Sequence, residues 1–284
     1  MEIGSEGKPS PASRARPRAR PATAARPSRG PGRAAVHQFF ATAPVPCPYV
    51  AGRAERKLVV ELTGGDAPAL FDELSRVGFR RSHHFAYRPA CHSCTACVPV
   101  RIAVERFADT RSTRRVRNLN SRRGEEGGCG GRVLAPRATP EQFHLFAQYQ
   151  HSRHRDSDMA AMTYADYRAM VEESAVRTAL VEFREPAGAL VAVSLIDRLD
   201  DGVSAVYSFY DPAKERQSLG TWSILWLVDE CRQHNLPHVY LGYWIAESPK
   251  MAYKARFPAL ERLVDGRWVP FAPDRHADTE GTKR

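Results

Sequence analysis

The chain has 284 residues, of which 43% are hydrophobic and 26% charged, and its formal net charge is +10. This composition suits a soluble globular protein with one large domain or two ordinary ones. It excludes a membrane-spanning class, because no run approaches the ~20 apolar residues that a spanning helix needs. The arginine-rich start lacks the apolar stretch of a secretory signal, so we expect a cytoplasmic protein without a membrane partner.

Residues 1–36 form a tail rich in Arg, Pro, Ala and Ser. Eight basic and two acidic residues give the tail a net charge of +6, which leaves +4 for the rest of the chain. Because the tail has almost no large apolar side chain, it cannot offset the entropy cost of ordering, and we predict that it is disordered. A solvated extension and a non-specific arm for nucleic acid are both open interpretations.

A smaller α/β domain is predicted over residues 37–124. The β-branched run Lys57–Thr63 predicts a strand. Asp66 and Gly78 are typical of the start and the end of the helix that follows. Alternating apolar residues from Val98 to Val104 predict a second strand.

This domain carries four of the six cysteines in a pattern typical of metal or redox chemistry. Three of them are spaced at three-residue intervals, so their thiolates could face one ion, and a fourth ligand would complete a tetrahedral site. Zinc and an iron–sulfur cluster both fit four thiolates. The alternative is a turn with reduced, partly buried cysteines. The candidate ligands are Cys47, Cys91, Cys94 and Cys97, with His83 or His92 in place of Cys47.

The segment Arg106–Arg123 holds seven arginines and a single acidic residue. If the segment is helical, Arg111, Arg114 and Arg115 share a face, and Val116 and Leu119 point inward. Guanidinium groups on one face suit phosphate, through bidentate hydrogen bonds. A solvated charged face is the alternative, although solvated helices usually mix both signs of charge.

A second domain is predicted over residues 132–272, after a glycine-rich break at Gly124–Gly131, with a flexible C-terminus at 273–284. Two capped helices open this domain. Three strands between Arg177 and Tyr210 are separated by short turns, which predicts an antiparallel meander. A long helix, a strand and a hairpin follow. This order is similar to that of the GNAT acyltransferases, so the predicted fold class is α+β, with a GNAT-like domain joined to the cysteine-bearing domain.

Two segments of the second domain carry candidate binding groups. Near Tyr210–Thr221 a strand ends, a loop follows and a helix begins, and free N–H groups at a helix N-terminus bind anions. Only Gly220 stands where a coenzyme A-binding loop usually has two or more glycines, which disfavours that cofactor. The segment Gly242–Phe257, at the end of a predicted strand and just after it, holds four aromatic and three cationic side chains, and packing alone does not explain Lys250 and Lys254.

With these motifs in order, the chain resembles the arginyl/leucyl-tRNA–protein transferases of the N-degron pathway. The resemblance covers nearly everything from His37 to Phe271, and its bacterial branch is the closer one. The matching segments are PCPY at Pro46–Tyr49, FRRSHHFAYRPACHSCTACVPVRI at Phe79–Ile102, FYDPAKERQSLGTWSIL at Phe209–Leu225 and YLGYWIAESPKMAYKARFPALE at Tyr240–Glu261.

The resemblance implies an enzyme that moves leucine from leucyl-tRNA to proteins beginning with Asp or Glu, acts as a monomer and needs no cofactor for the chemistry. Asp211 and Tyr210 are the catalytic candidates, as the group that orients or deprotonates the amine and as an oxyanion donor. The predicted donor-binding residues are Gln217, Ser218, Leu219, Gly220, Lys250 and Tyr253. The predicted acceptor-binding residues are Arg80, Arg81, Arg88 and Lys254.

Three alternatives are open at this stage. Arginine could be the transferred residue, as in the eukaryotic branch of the family. The chain could instead be a coenzyme A-dependent N-acyltransferase. It could also be a non-catalytic nucleic-acid-binding protein that combines a zinc module with an arginine stripe, although that class leaves the segment Tyr240–Phe257 unexplained.

Overall fold

A computed structural model describes residues 36–121, 129–155 and 157–272. The predictions for the N-terminal tail up to residue 35, for the C-terminus 273–284 and for most of the glycine-rich break lie outside these residues. The described residues from His37 onward form one compact unit.

The helices begin and end close to the positions that their capping residues predict. Thr139 and Thr163 each form a capping box, in which the side chain accepts from the third helical residue, Gln142 or Asp166, and that residue accepts in return. No helix in the described ranges has both the length and the apolar character to cross a bilayer. The α-helices are α1 (Ala67–Arg76), α2 (Arg111–Ser121), α3 (Pro140–Arg153), α4 (Tyr164–Glu172), α5 (Leu219–Gln233) and α6 (Pro249–Ala252).

The strands form a large sheet, a small sheet and a two-stranded ribbon. The small sheet has the order β1-β4-β6-β5, and β2 pairs with β3. In the N-terminal half the strands are β1 (Phe39–Ala41), β2 (Val45–Pro46), β3 (Ala54–Glu55), β4 (Lys57–Glu61), β5 (Arg80–Ser82), β6 (Phe85–Pro89) and β7 (Val98–Ala103). In the C-terminal half they are β8 (Gly130–Leu134), β9 (Thr178–Arg184), β10 (Leu190–Leu199), β11 (Gly202–Tyr210), β12 (His238–Trp244), β13 (Leu260–Val264) and β14 (Arg267–Pro270).

The large sheet joins the two halves of the chain. Its order is β14-β13-β7-β12-β11-β10-β9-β8, so β7 of the N-terminal half lies between two C-terminal strands. The predicted meander is present as β9, β10 and β11, each antiparallel to the next. The chain therefore has a mixed α/β fold around one large sheet, and the division into two domains stays a prediction.

Helices cover both faces of this sheet. On one face α5 packs against β10, β11 and β12, in an apolar cluster that includes Leu225, Val228, Val203 and Val239. On the other face Phe146 of α3 and its neighbours in α4 pack against β10 and β11. Because both faces are covered, β9 and β10 are buried along nearly their whole length and read as nearly continuous apolar runs.

Strand β8 occupies residues that the sequence suggested were part of a break. It pairs with β9 at the edge of the large sheet. A Cβ on Gly131 would lie 2.4 Å from the ring of Trp226, so this glycine lets the edge strand approach α5 closely. Gly131 therefore serves close packing here, whereas a Cβ on Gly130 would meet no atom within 4 Å.

The segment Arg111–Ser121 is helical, as predicted, but the prediction that Leu119 points inward is wrong. Leu119 is 40% exposed, and the buried residues of the helix are Thr113 and Asn120. Arg111, Arg114 and Arg115 are all exposed, on the face that the spacing predicts.

Candidate active site

The neighbouring strands β11 and β12 separate near their C-terminal ends. They pair in parallel only from Gly202 to Ser204, opposite His238 to Tyr240, although both strands continue beyond that pairing. The guanidinium of Arg80 bonds to the β11 side of this gap, donating to the Ser204 hydroxyl at 2.8 Å and to the Ala205 carbonyl. The resulting gap is the candidate site.

Gly242 of β12 borders the same guanidinium. Its φ is +78°, a conformation that favours glycine, and a Cβ there would lie 2.8 Å from Nε of Arg80. Arg80 is therefore held between the two strands, and its position depends on the absence of a side chain at residue 242.

Tyr210 lies at the end of β11, where the strands have separated. The Tyr149 ring of α3 packs against it with 4.9 Å between the ring centroids. A Cβ on Gly220, in the first turn of α5, would lie 3.0 Å from the Tyr210 ring. Tyr210 thus contacts the helix N-terminus that was predicted to bind an anion.

The residues before α5 do not all offer a side chain to a ligand. Ser218 is exposed and has a φ of +53°, and its side chain forms no capping bond. Leu219 is 1% exposed, so only its backbone can take part in binding. Gln217 accepts from Asn120 at its carbonyl and from the Cys129 thiol at Oε1. The donor-binding roles predicted for this segment rest mainly on the backbone N–H groups of the first helical turn.

Asp211 has a structural role in addition to the predicted catalytic one. Its Oδ1 accepts from the backbone N–H of Ala213 at 2.9 Å and caps the 3₁₀ turn Pro212–Gln217. A cap of this kind needs an acceptor oxygen but no negative charge.

Lys254 and Tyr253 lie next to the gap, after β12. Lys254 is 7% exposed, and its Nζ donates to the Tyr243 carbonyl at 2.6 Å. Burial, with a contribution from the nearby charge of Arg80, lowers the pKa of Lys254 to about 7. Tyr253 is 39% exposed as a residue, but its hydroxyl is desolvated near Tyr210, which raises its pKa to about 12.

The acceptor-binding prediction for Arg81 is not supported by its position. Its Nε and Nη2 donate to the two carboxylate oxygens of Asp197 at 2.7 and 2.8 Å, and both side chains are buried. A guanidinium committed to a buried carboxylate is unavailable to a second one, so Arg81 is not retained in the acceptor set. Arg88 is exposed and lies 5.3 Å above the ring of Phe79.

The four predicted cysteines do line one pocket, and Tyr243 lines it as well. Burial, followed by the neighbouring thiols Cys47, Cys91 and Cys94, raises the pKa of Cys97 to about 11. Hydrogen bonds from the Ala96 backbone and from Arg53, whose Nη1 lies 3.0 Å from Sγ, lower the pKa of Cys94.

The thiols share a pocket without forming a metal site in this arrangement. Across residues 36–121, 129–155 and 157–272, no group of three or more Cys, His, Asp or Glu side chains is arranged to hold an ion. We therefore assign no step of the chemistry to a metal.

Both halves of the chain match one protein family. Residues 45–115 match "Arginine-tRNA-protein transferase, N terminus", and residues 141–264 match "Arginine-tRNA-protein transferase, C terminus". The chain belongs to this transferase family. The family predicted from the four sequence motifs is thereby confirmed.

Relatives of this transferase carry a more specific name. A protein of Rhodospirillum rubrum called "Aspartate/glutamate leucyltransferase" is 54% identical over 236 residues, which is 83% of this chain and 94% of that protein. A protein of the same name from Paramagnetospirillum magneticum is 53% identical over 84% of this chain and 95% of its own. These relatives confirm the bacterial branch.

Among solved structures, L-PGS from Bacillus licheniformis is 12% identical to the transferase. It covers 65% of this chain and 51% of its own, with a TM-score of 0.42. A TM-score of that size does not establish a shared fold.

Sequence reasoning missed two residues that the transferase brings to the candidate site from α3. Tyr149 packs on Tyr210, and His154 at the end of α3 packs on Tyr149 with 5.5 Å between centroids. Burial, followed by the charges of Lys250 and Arg153, lowers the pKa of His154. The periodicity of α3 predicted a helix but gave no signal of which strand end it would meet.

Replacing Lys254 with methionine should stabilise the transferase most at low pH. A folded-state pKa of about 7, against 10.5 for a solvated lysine, means that the folded state binds fewer protons between those values. Protonation therefore disfavours folding, with the full penalty below about pH 7 and none left near pH 10.5.

The measurement is the difference in free energy of unfolding between the Lys254→Met variant and the wild type, at about pH 6 and about pH 10. We expect the difference to shift in favour of the variant at the lower pH. Lys250→Met, which removes an exposed cation, is the control and should show no such shift. A pH-independent difference for Lys254→Met would show that Lys254 is solvated.

Proposed function

We propose that this chain transfers leucine from leucyl-tRNA to the N-terminus of proteins that begin with Asp or Glu, and so marks them for degradation through the N-degron pathway. The observation that carries the proposal is the name "Aspartate/glutamate leucyltransferase" of relatives that are 54% and 53% identical and are covered almost completely. The candidate site supports the proposal in two ways. The N-terminus of α5 suits the anionic 3′ end of the tRNA, and the nearby cations suit an acidic first residue of the acceptor.

The proposed donor site is the N-terminal end of α5 with the side chains around it. Backbone N–H groups of the first turn, from Leu219 and Gly220, suit the phosphate or carbonyl oxygens of a charged tRNA 3′ end. Tyr253 and the exposed Lys250 would border this end, and Ser218 and Gln217 would shape the loop. The separation of β11 from β12 supports a GNAT-like arrangement, in which a donor enters between two diverging strands.

The proposed acceptor site uses the cations in and beside the gap between β11 and β12. Arg80, Lys254 and Arg88 would pair with the acidic side chain of the first residue, since charge-assisted hydrogen bonds favour a carboxylate over an amide. Arg80 and Lys254 already donate to the backbone carbonyls of Ala205 and Tyr243, so the acceptor carboxylate would use their remaining N–H groups.

The reaction is an aminolysis of an ester that is already activated. The acceptor amine forms a bond to the leucyl carbonyl carbon, the ester C–O bond breaks, and the tRNA 3′ ribose hydroxyl leaves with a proton. Alignment of the two substrates supplies much of the rate. Asp211 would orient or deprotonate the amine, and the Tyr210 hydroxyl or an α5 N–H group would hold the oxyanion.

This chemistry requires no cofactor. The thiols of Cys47, Cys91, Cys94 and Cys97 line one pocket but are not arranged as a zinc or iron–sulfur site in the described part of the chain. The expectations of a cysteine-bearing domain at 37–124, a catalytic domain at 132–272, a monomer and a cytoplasmic location belong to the same proposal.

The test supplies leucyl-tRNA, arginyl-tRNA or acetyl-CoA in turn, with a peptide that begins with Asp, and reads the product by mass. We expect addition of leucine only. Addition of arginine or of acetyl would replace the proposal with one of the two alternatives, and no product with any donor would contradict all three.

A further inference from the structure

Helix α2 carries a row of arginines without an acidic partner. Arg111, Arg114 and Arg115 are exposed, and none of them forms an ion pair with a carboxylate in the described part of the chain. Within α2, Arg117 is the arginine that does pair: it donates to Asp109 at 3.0 Å and to Asp229 of α5. The helix is thus anchored by Arg117 and presents the charge of the others to solvent.

The position of α2 connects this row to the proposed donor site. Asn120, near its C-terminal end, is buried and donates to the Gln217 carbonyl at 2.9 Å, directly before α5. Arg117, one turn earlier, reaches Asp229, which is ten residues into α5. Helix α2 therefore runs along α5 from the proposed donor loop outward.

We propose that the exposed face formed by Arg111, Arg114 and Arg115 binds the phosphodiester backbone of the donor tRNA. This inference rests on the proposed function for the identity of the RNA. The three side chains lie within about one helical turn, roughly 5–6 Å along the axis, so several of them can meet neighbouring phosphates at once. Guanidinium groups bind phosphate oxygens in bidentate fashion.

The geometry favours RNA over the body of the acceptor protein. Acceptors of one enzyme share their first residue but differ beyond it, so a fixed basic surface has no constant acidic partner there. A tRNA offers the same phosphate backbone in every turnover. Leu119 is the exposed large apolar side chain of α2, which gives little apolar area for a protein interface.

The test compares two triple variants of the full chain that each lose three exposed arginines. The first is Arg111→Gln, Arg114→Gln and Arg115→Gln. The control is Arg137→Gln, Arg168→Gln and Arg267→Gln, at exposed positions outside α2 and without an ion pair in the described residues. Both triple variants lower the net charge by three. Any difference in their tRNA affinity therefore comes from where the lost arginines lie. Circular dichroism establishes that both fold.

Binding of uncharged leucine tRNA is measured over a series of salt concentrations. We expect the first triple to bind at least tenfold more weakly than the control. The slope of log K against log salt should fall by about 2–3, since each of the three phosphate contacts contributes ~0.7–0.9. In turnover the KM for leucyl-tRNA should rise, with kcat and the KM for peptide unchanged.

Equal tRNA affinity of the two triples would overturn the inference, and so would a rise in the peptide KM alone, which would assign the surface to the acceptor. The binding measurement uses uncharged tRNA and no acceptor, so its result does not depend on whether the protein transfers leucine. If α2 is required for tRNA binding but no leucine is transferred, the inference stands and the proposed function fails.

Discussion

Replacing Asp197 with alanine is expected to lower the free energy of unfolding by about 3–5 kcal/mol. The side chains of Arg81 and Asp197 are 1% and 0% exposed, and Thr178 also donates to Asp197 at 2.7 Å. Loss of the carboxylate leaves a charged guanidinium buried without its partner. Urea denaturation, followed by circular dichroism, measures the change.

An exposed ion pair provides the control. Arg153 and Glu215 are 36% and 73% exposed, so Arg153→Ala should cost less than about 1 kcal/mol. If Asp197→Ala lowers the free energy of unfolding by less than about 1 kcal/mol, the Arg81–Asp197 ion pair is accessible to solvent. The acceptor-binding role predicted for Arg81 from the sequence would then be tenable again.

The Asp211→Asn variant should lose kcat by about 10²–10⁴-fold, the usual contribution of a general base, while its thermal midpoint stays that of the wild type. Asparagine keeps the Oδ1 that accepts from Ala213 and removes the charge that a base requires. The rate constant of leucine transfer to a peptide that begins with Asp, measured in a single turnover, reports this loss.

Asp211→Ala separates the two roles further, because it removes both the cap and the base and should lower the midpoint as well as the rate. If Asp211→Asn retains more than a tenth of the wild-type rate, Asp211 is a turn cap only. His154 beside Tyr149, whose pKa is lowered by burial, is then the next candidate for the base.

Features encoded by neighbouring residues were predictable from the sequence. The capping residues Thr139 and Thr163 place the starts of α3 and α4 because a side chain and an N–H group three residues apart meet in any helix. Asp265 and Gly266 have φ of +48° and +76°, as a tight hairpin between β13 and β14 requires. The alternation that predicted β7 likewise depends on local residues alone.

Features encoded by distant pairs were not predictable. Arg81 looked like a free cation because its partner Asp197 is 116 residues away and nothing local indicates the pairing. Strand β7 lies within the large sheet through pairings with β12 and β13, which no local pattern specifies. Tyr149 was missed for the same reason, since only the packing of α3 on the sheet brings it to Tyr210.

The choice of acceptor tests the proposed leucyl transfer most directly. Peptides that differ only in beginning with Asp or Asn are mixed in equal amounts with limiting leucyl-tRNA, and the two products are counted by mass. We expect the Asp peptide to be modified at least tenfold faster, because an amide in a basic pocket leaves charged groups unpaired at a cost of ~1.4 kcal/mol or more. Equal modification of the two peptides would contradict the assignment of an acidic acceptor.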